Sequence, residues 1–118
     1  MTDLITISEQ IEKKIAEIDK VRAEIKSRGE EKARTAAIYD MEVAKYLVGL
    51  ENGKEYDLNG EKIKEPPKSI MDKLARGLAW EQKLLMDTAE ASYKSIMSNL
   101  EAVKVQTNAL QSLLRIMD

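Results

Sequence analysis

Apolar residues recur every seven positions in both halves of this chain, and that spacing leaves few folds open. In the first half the series is Leu4, Ile11, Ile18 and Ile25, with Ile7, Ile15 and Val21 between its members. In the second half it is Ala89, Ile96, Val103, Leu110 and Met117, matched by Tyr93, Leu100, Thr107 and Leu114. A seven-residue repeat lays a narrow apolar seam along a helix and requires another helix against it. Strands need alternation with a period of two, which neither series offers. The chain therefore reads as all-α: two long helices in a coiled-coil-like helical hairpin, joined by a short β-hairpin and a short helix.

Composition supports that reading and narrows function. The 118 residues are enough for one domain, and 34% are charged, 43% apolar and only 4% aromatic, with no Phe. This is the mix of long helices. Nineteen basic and 21 acidic residues nearly cancel, to a net charge of −2. A nucleic-acid interface needs a basic excess on one face, so nucleic acid is not the expected partner. There is no Cys and no His, which removes disulfides, thiolate nucleophiles, the commonest general base and the commonest zinc ligands. No catalytic residue, metal ligand or cofactor site is assigned, and an enzyme is not expected. Carboxylates are numerous but sit among other charges, as on solvated faces. The stretch "NGKEYDLNGE" lacks the ligand spacing of a calcium loop, and "LNGEKIK" lacks the pattern of a phosphate loop. Neither a signal peptide nor a run of about 20 apolar residues is seen, so a cytoplasmic protein is expected, with no membrane partner.

Along the chain, Thr6 and Glu9 form a capping-box pair that would open a helical arm over 6–50. The arm is charge-rich, with Glu24–Arg28 and Glu30–Arg34 spaced for ion pairs. At "SRGEEK" the heptad position falls on Lys32, and Gly29 costs about 1 kcal/mol relative to Ala. A kink or short loop near Gly29 is the expectation. Ala33, Ala37, Met41, Ala44 and Val48 then resume a stripe, joined by Ile38, Val43, Leu47 and Leu50. Its small members would let another helix approach closely. Gly53 or Asn52 can supply the left-handed cap.

Residues 54–64 read as a β-hairpin around Asn59-Gly60, both of which tolerate the positive φ of a type I′ turn. Counting outward pairs Asp57 with Lys62 and Glu55 with Lys64 on one face, leaving Tyr56, Leu58 and Ile63 on the other. A lone two-stranded hairpin is marginal in water. The apolar face must rest either on the chain's own helices or on a partner. After Pro66-Pro67, Ser69 would cap a short helix over 69–76, and a long helix covers 78–117. Leu78 and Leu85 fall out of register with the later series, a four-residue stutter. Residues 95–117 carry only Glu101, Lys104 and Arg115 as charges, which implies cover on more than one side. A homo-oligomer is expected from this, with Ala89, Tyr93, Ile96, Leu100, Val103, Leu110, Leu114 and Met117 as its seam. Tyr56, Leu58, Ile63 and Trp80 are the candidate contacts for a different protein partner.

Three segments in the second half carry a family likeness: Lys73-Leu74-Ala75-Arg76-Gly77, Ala89-Glu90-Ala91-Ser92-Tyr93-Lys94 and Leu110-Gln111-Ser112-Leu113-Leu114. Together residues 69–118 resemble small uncharacterised helical accessory proteins of tailed bacteriophages. The resemblance implies a phage-encoded protein working in the host cytoplasm. Its role would be a non-enzymatic protein-interaction module that docks on a phage recombination or replication protein, or inhibits a host defence protein. A single-stranded DNA-binding recombination accessory is the alternative from another class. The helix–hairpin–helix order is also similar in topology to the β-type prefoldin subunit, which would imply a holdase.

Overall fold

In the computed structural model, which describes residues 3–117, the elements follow in the order α1 (Leu4–Glu51), β1 (Tyr56–Leu58), β2 (Glu61–Ile63), α2 (Lys68–Leu78) and α3 (Trp80–Met117). The long helices α1 and α3 pack as a helical hairpin, with the β-hairpin and α2 between them in sequence. By its contacts the chain divides into two compact units, one holding residues up to Glu30 with those from Ala91 onward, the other Glu31–Glu90.

α1 begins one turn earlier than the Thr6–Glu9 box implies. Asp3 is its cap: the Thr6 backbone N–H donates to Asp3 Oδ1 at 2.8 Å, satisfying one of the donors a helix start leaves free. The helix then runs through Gly29 without a break in its hydrogen bonding, so no loop forms there. The reason is geometric. Ile7, Ile11, Lys14, Ile18, Val21, Ile25, Arg28, Lys32 and Thr35 alternate in steps of four and three residues, and all are wholly or partly buried. Hydrophobicity lapses at Arg28 and Lys32, but the register does not. Long basic side chains cover a seam with their stems and carry their charge to its edge. Arg28 does this visibly, donating to the Ser92 carbonyl at 3.2 Å and to Glu24 Oε2 at 3.1 Å.

In the first unit Val21, Ile96 and Leu100 form the buried core, with Ile18 and Ile25 packed against it. Each large aliphatic side chain removed from water contributes about 1.5–3 kcal/mol. Thr107 is also buried, and its hydroxyl is not orphaned, since it donates to the Val103 carbonyl at 2.8 Å. Gly29 lies opposite Tyr93: a Cβ there would meet the ring at 3.4 Å, an ordinary contact.

The second unit is built on Leu50, Met71 and Ala75, surrounded by Val43, Tyr46, Leu47, Tyr56, Ile63, Leu74 and Leu78. α1 stops in a left-handed turn at Gly53, φ 78°. Gly53 N–H donates to the Leu50 carbonyl at 3.2 Å and Lys54 N–H to the Gly49 carbonyl at 2.9 Å, the two bonds of a Schellman motif. The hairpin has the expected register, Tyr56 against Ile63, Asp57 against Lys62 and Leu58 against Glu61, with both Asn59 (φ 51°) and Gly60 (φ 86°) left-handed. Its charges are arranged differently from the sequence pairing. Asp57 Oδ1 accepts the Gly60 N–H at 2.7 Å, and Lys62 reaches Glu55 at 4.0 Å instead. The turn amide takes the carboxylate because it is fixed within reach, whereas an exposed lysine gains little from pairing.

α2 starts at Lys68 after Pro67, whose preset φ of −56° leads into the helix, and no side chain caps it. Ser69 is therefore inside α2 and not its cap. Ala79, fully buried, joins α2 to α3: its N–H still bonds back to Ala75 and Arg76, and its carbonyl accepts the Lys83 N–H. Continuing from Ala79 just before it, the inward row of α3 runs Gln82, Met86, Ala89, Tyr93, Ile96, Leu100, Val103, Thr107, Leu110 and Leu114. That is an unbroken three-four alternation, so the stutter is absent. Leu85, which suggested it, is 60% exposed, and the less apolar Gln82 and Met86 occupy the seam.

Candidate functional site

The residues named as contacts from sequence separate into covered and open groups. Tyr56 and Ile63 belong to the second unit's own cluster. Tyr56 meets Tyr46 edge to face at 5.1 Å and lies over Gly49, where a Cβ would stand 2.8 Å from its Cζ. Leu58 extends toward Gly77 of α2, 3.7 Å from where a Cβ would be. The apolar side of the hairpin therefore rests on the chain's own helices, as a connector does. Trp80 differs: at the first position of α3 it is 52% exposed.

Of the seam residues, Ala89, Ile96, Leu100 and Val103 are buried, and Tyr93, Leu110 and Leu114 are half-buried; Met117 is exposed. Ile96 and Leu100 pack on Val21, Ile18 and Ile25 of the same chain. From Ala89 to Val103 the heptad row is covered within the chain, whereas Met117 at its end is exposed.

Two other faces are open. On α1, Ala33, Ala37, Met41, Ala44 and Val48 are all exposed, although their spacing marked them as an inward stripe. The inward places go to Thr35 and to the other members of the expected stripe, Ile38, Val43, Leu47 and Leu50: the last three pack with α2 and the hairpin, and Thr35 and Ile38 lie beside Gln82 and Leu85 of α3. On α3, Ala91, Ala102, Val105, Ala109, Leu113 and Ile116 are exposed. This face was missed from sequence, but it had a signal: positions at helical spacing, free of charge, on the side opposite the heptad row. Beside it runs a groove of about 720 Å³ lined by Gln10, Lys13, Lys14 and Glu17 of α1 and Gln106, Ala109, Leu110 and Leu113 of α3. Lys14 Nζ is engaged there, donating to Gln106 Oε1 at 2.7 Å and pairing with Glu17 at 3.4 Å.

The ionisable groups serve helix ends and surfaces. Arg34 pairs with Glu31, three residues before it, in place of Glu30, holding the Glu31 carboxyl below its ordinary value and raising its own. Bonding to the Thr6 amide likewise lowers the Asp3 carboxyl. In a shallow groove lined by Tyr39, Asp40, Val43, Asp72, Arg76 and Lys83, Arg76 pairs with Asp72 at 3.0 Å and Lys83 with Asp87 at 3.2 Å. Among the described residues no three Asp or Glu side chains gather as a metal site, and no helix is long and apolar enough to cross a membrane. No protein-family model, curated protein or solved structure matches the chain.

Proposed function

We propose that this chain is a non-enzymatic protein-interaction module whose second unit docks on a protein partner through the outer face of α1. The observation that supports this is the open row Ala33, Ala37, Met41, Ala44 and Val48, in which Met41 is 60% and Val48 55% exposed. No charged residue interrupts the row, and its alanines let a partner helix approach closely. Trp80, half exposed at the start of α3, is a separate candidate contact in the same unit, an aromatic of the kind that dominates interface energetics. The resemblance of residues 69–118 to phage accessory proteins suggests the partner's class: a phage recombination or replication protein, or a host defence protein that the module inhibits.

The test is capture of partners from infected-cell lysate by the wild type and by an Ala37→Glu, Ala44→Glu variant, with helicity checked by circular dichroism. A partner retained by the wild type and lost by the folded variant is the expected result. Equal capture by both would remove the α1 face from the proposal. Salt-sensitive submicromolar binding of a single-stranded oligonucleotide, measured by mobility shift, would overturn the protein-docking reading in favour of the DNA-binding one.

A further inference from the structure

The outer face of α3 within the first unit has the properties of a self-complementary helix surface. At about 100° per residue, Ala91, Ser95, Ser98, Ala102, Val105, Ala109, Leu113 and Ile116 fall in one strip, on the side opposite Ile96, Leu100 and Val103. All are exposed, Val105 at 66% and Ile116 at 83%. None is charged, although a third of the whole chain is. The outer positions of α1 in the same unit, such as Glu12, Asp19, Arg22 and Lys26, are charged and exposed. One helix of this unit is thus finished for water and the other is not.

Side-chain size along the strip selects the occupant. The N-terminal half holds only small residues, Ala91, Ser95, Ser98 and Ala102, and the large ones, Val105, Leu113 and Ile116, lie in the C-terminal half. A second copy laid antiparallel on this strip, about a two-fold axis between residues 103 and 104, sets Ile116 on Ala91, Leu113 beside Ser95, Ala109 on Ser98 and Val105 on Ala102. Each large side chain then meets a small one, in both copies at once, as an isologous interface requires. A parallel pair would set small on small at one end and large on large at the other, leaving gaps and clashes. We infer that two copies of this chain associate through the outer faces of α3, antiparallel.

The size of the contact bounds its strength. From Ala91 to Ile116 the strip is roughly 38 Å long at 1.5 Å per residue. A helix-wide contact of that length buries about 800–1,000 Å² in total, below the roughly 1,200–2,000 Å² of a stable specific interface and in the range of weak, transient ones. The groove between Lys13 and Leu113 adjoins the strip through Ala109 and Leu113 and adds surface on the α1 side. The pair is therefore a reversible one, populated at micromolar concentration and above.

The experiment uses the full chain. Sedimentation equilibrium over about 10–500 µM should show a monomer–dimer equilibrium, abolished in Ala102→Glu and in Ala109→Glu. Both positions are exposed and outside the heptad row, and circular dichroism checks that the variants stay folded. Because the chain has no Cys, introduced thiols report orientation cleanly. Ala91→Cys mixed with Ile116→Cys should give a disulfide-linked heterodimer on mild oxidation, and neither should link efficiently to itself. A monomer throughout the concentration range, dimers that persist in folded Ala109→Glu, or self-linking of Ile116→Cys would each overturn the inference.

Discussion

Gly49 and Gly29 are both glycines inside α1, and replacing each with alanine should move stability in opposite directions. In a helix interior the exchange alone favours folding by about 1 kcal/mol, through backbone entropy. At Gly29 nothing opposes that gain, since the new Cβ meets Tyr93 at ordinary contact distance, 3.4 Å. At Gly49 the new Cβ would lie 2.8 Å from Cζ and 3.0 Å from Cε2 of Tyr56, and would overlap its hydroxyl. The ring must leave. It then forfeits its edge contact with Tyr46, worth about 0.5–1.5 kcal/mol. It also forfeits its share of the cluster around Leu50, which for a half-buried ring is about 1–1.5 kcal/mol of apolar transfer. Set against the helical gain, Gly49→Ala should cost a net of about 0.5–2 kcal/mol. Urea denaturation followed by circular dichroism measures this, with Tyr56→Ala as the second arm of a double-mutant cycle. In the Tyr56→Ala background the same Gly49→Ala change should turn stabilising by about 1 kcal/mol. If Gly49→Ala stabilises the wild type as much as it does Tyr56→Ala, the ring is not seated on α1 and the connector account of the hairpin is wrong.

Leu100→Ala should destabilise by about 2–4 kcal/mol in thermal or urea melts, whereas Leu113→Ala in dilute solution should cost under about 1 kcal/mol, because Leu113 is 42% exposed and Leu100 7%. Equal costs would contradict the assignment of their helix faces. Below the ordinary carboxylate range, the first turn of α1 should loosen. The folded Asp3 carboxyl titrates low because it accepts the Thr6 N–H, so its capping contribution is present above the unfolded value and disappears as pH falls through the folded one. Carboxyl and Thr6 amide shifts followed by NMR should share that low midpoint, and a midpoint at or above the ordinary aspartate value would refute the cap.

Much of the architecture was legible because it rests on local rules. Asn59-Gly60 specified its turn and therefore the register of the strands, since both residues accept positive φ. Gly53 ended α1 for the same reason. The seven-residue spacing of Ile11, Ile18, Ile25, Ile96, Val103 and Leu110 specified two long helices facing one another. Where local rules misled, a neighbour distant in sequence had intervened. Gly29 looked like a break, but propensity is a small cost beside the packing of both flanking segments. Leu85 looked like a core residue until Ala79, buried at the α2–α3 joint, set the phase of α3 and turned Gln82 and Met86 inward.

The sequence by itself therefore determined the kind of elements, their order and the turn between the strands, because hydrophobic period, caps and φ preferences act within a few residues. Only the tertiary structure decided which apolar row of each helix is covered. α1 and α3 each carry two such rows, and periodicity measures spacing without saying which side a neighbour will occupy. Packing filled the Ile96–Leu100–Val103 row with α1, placed Tyr56 over Gly49, and left Ala33–Val48 and Ala91–Ile116 facing outward. Those two open rows are where the chain's interactions are to be tested.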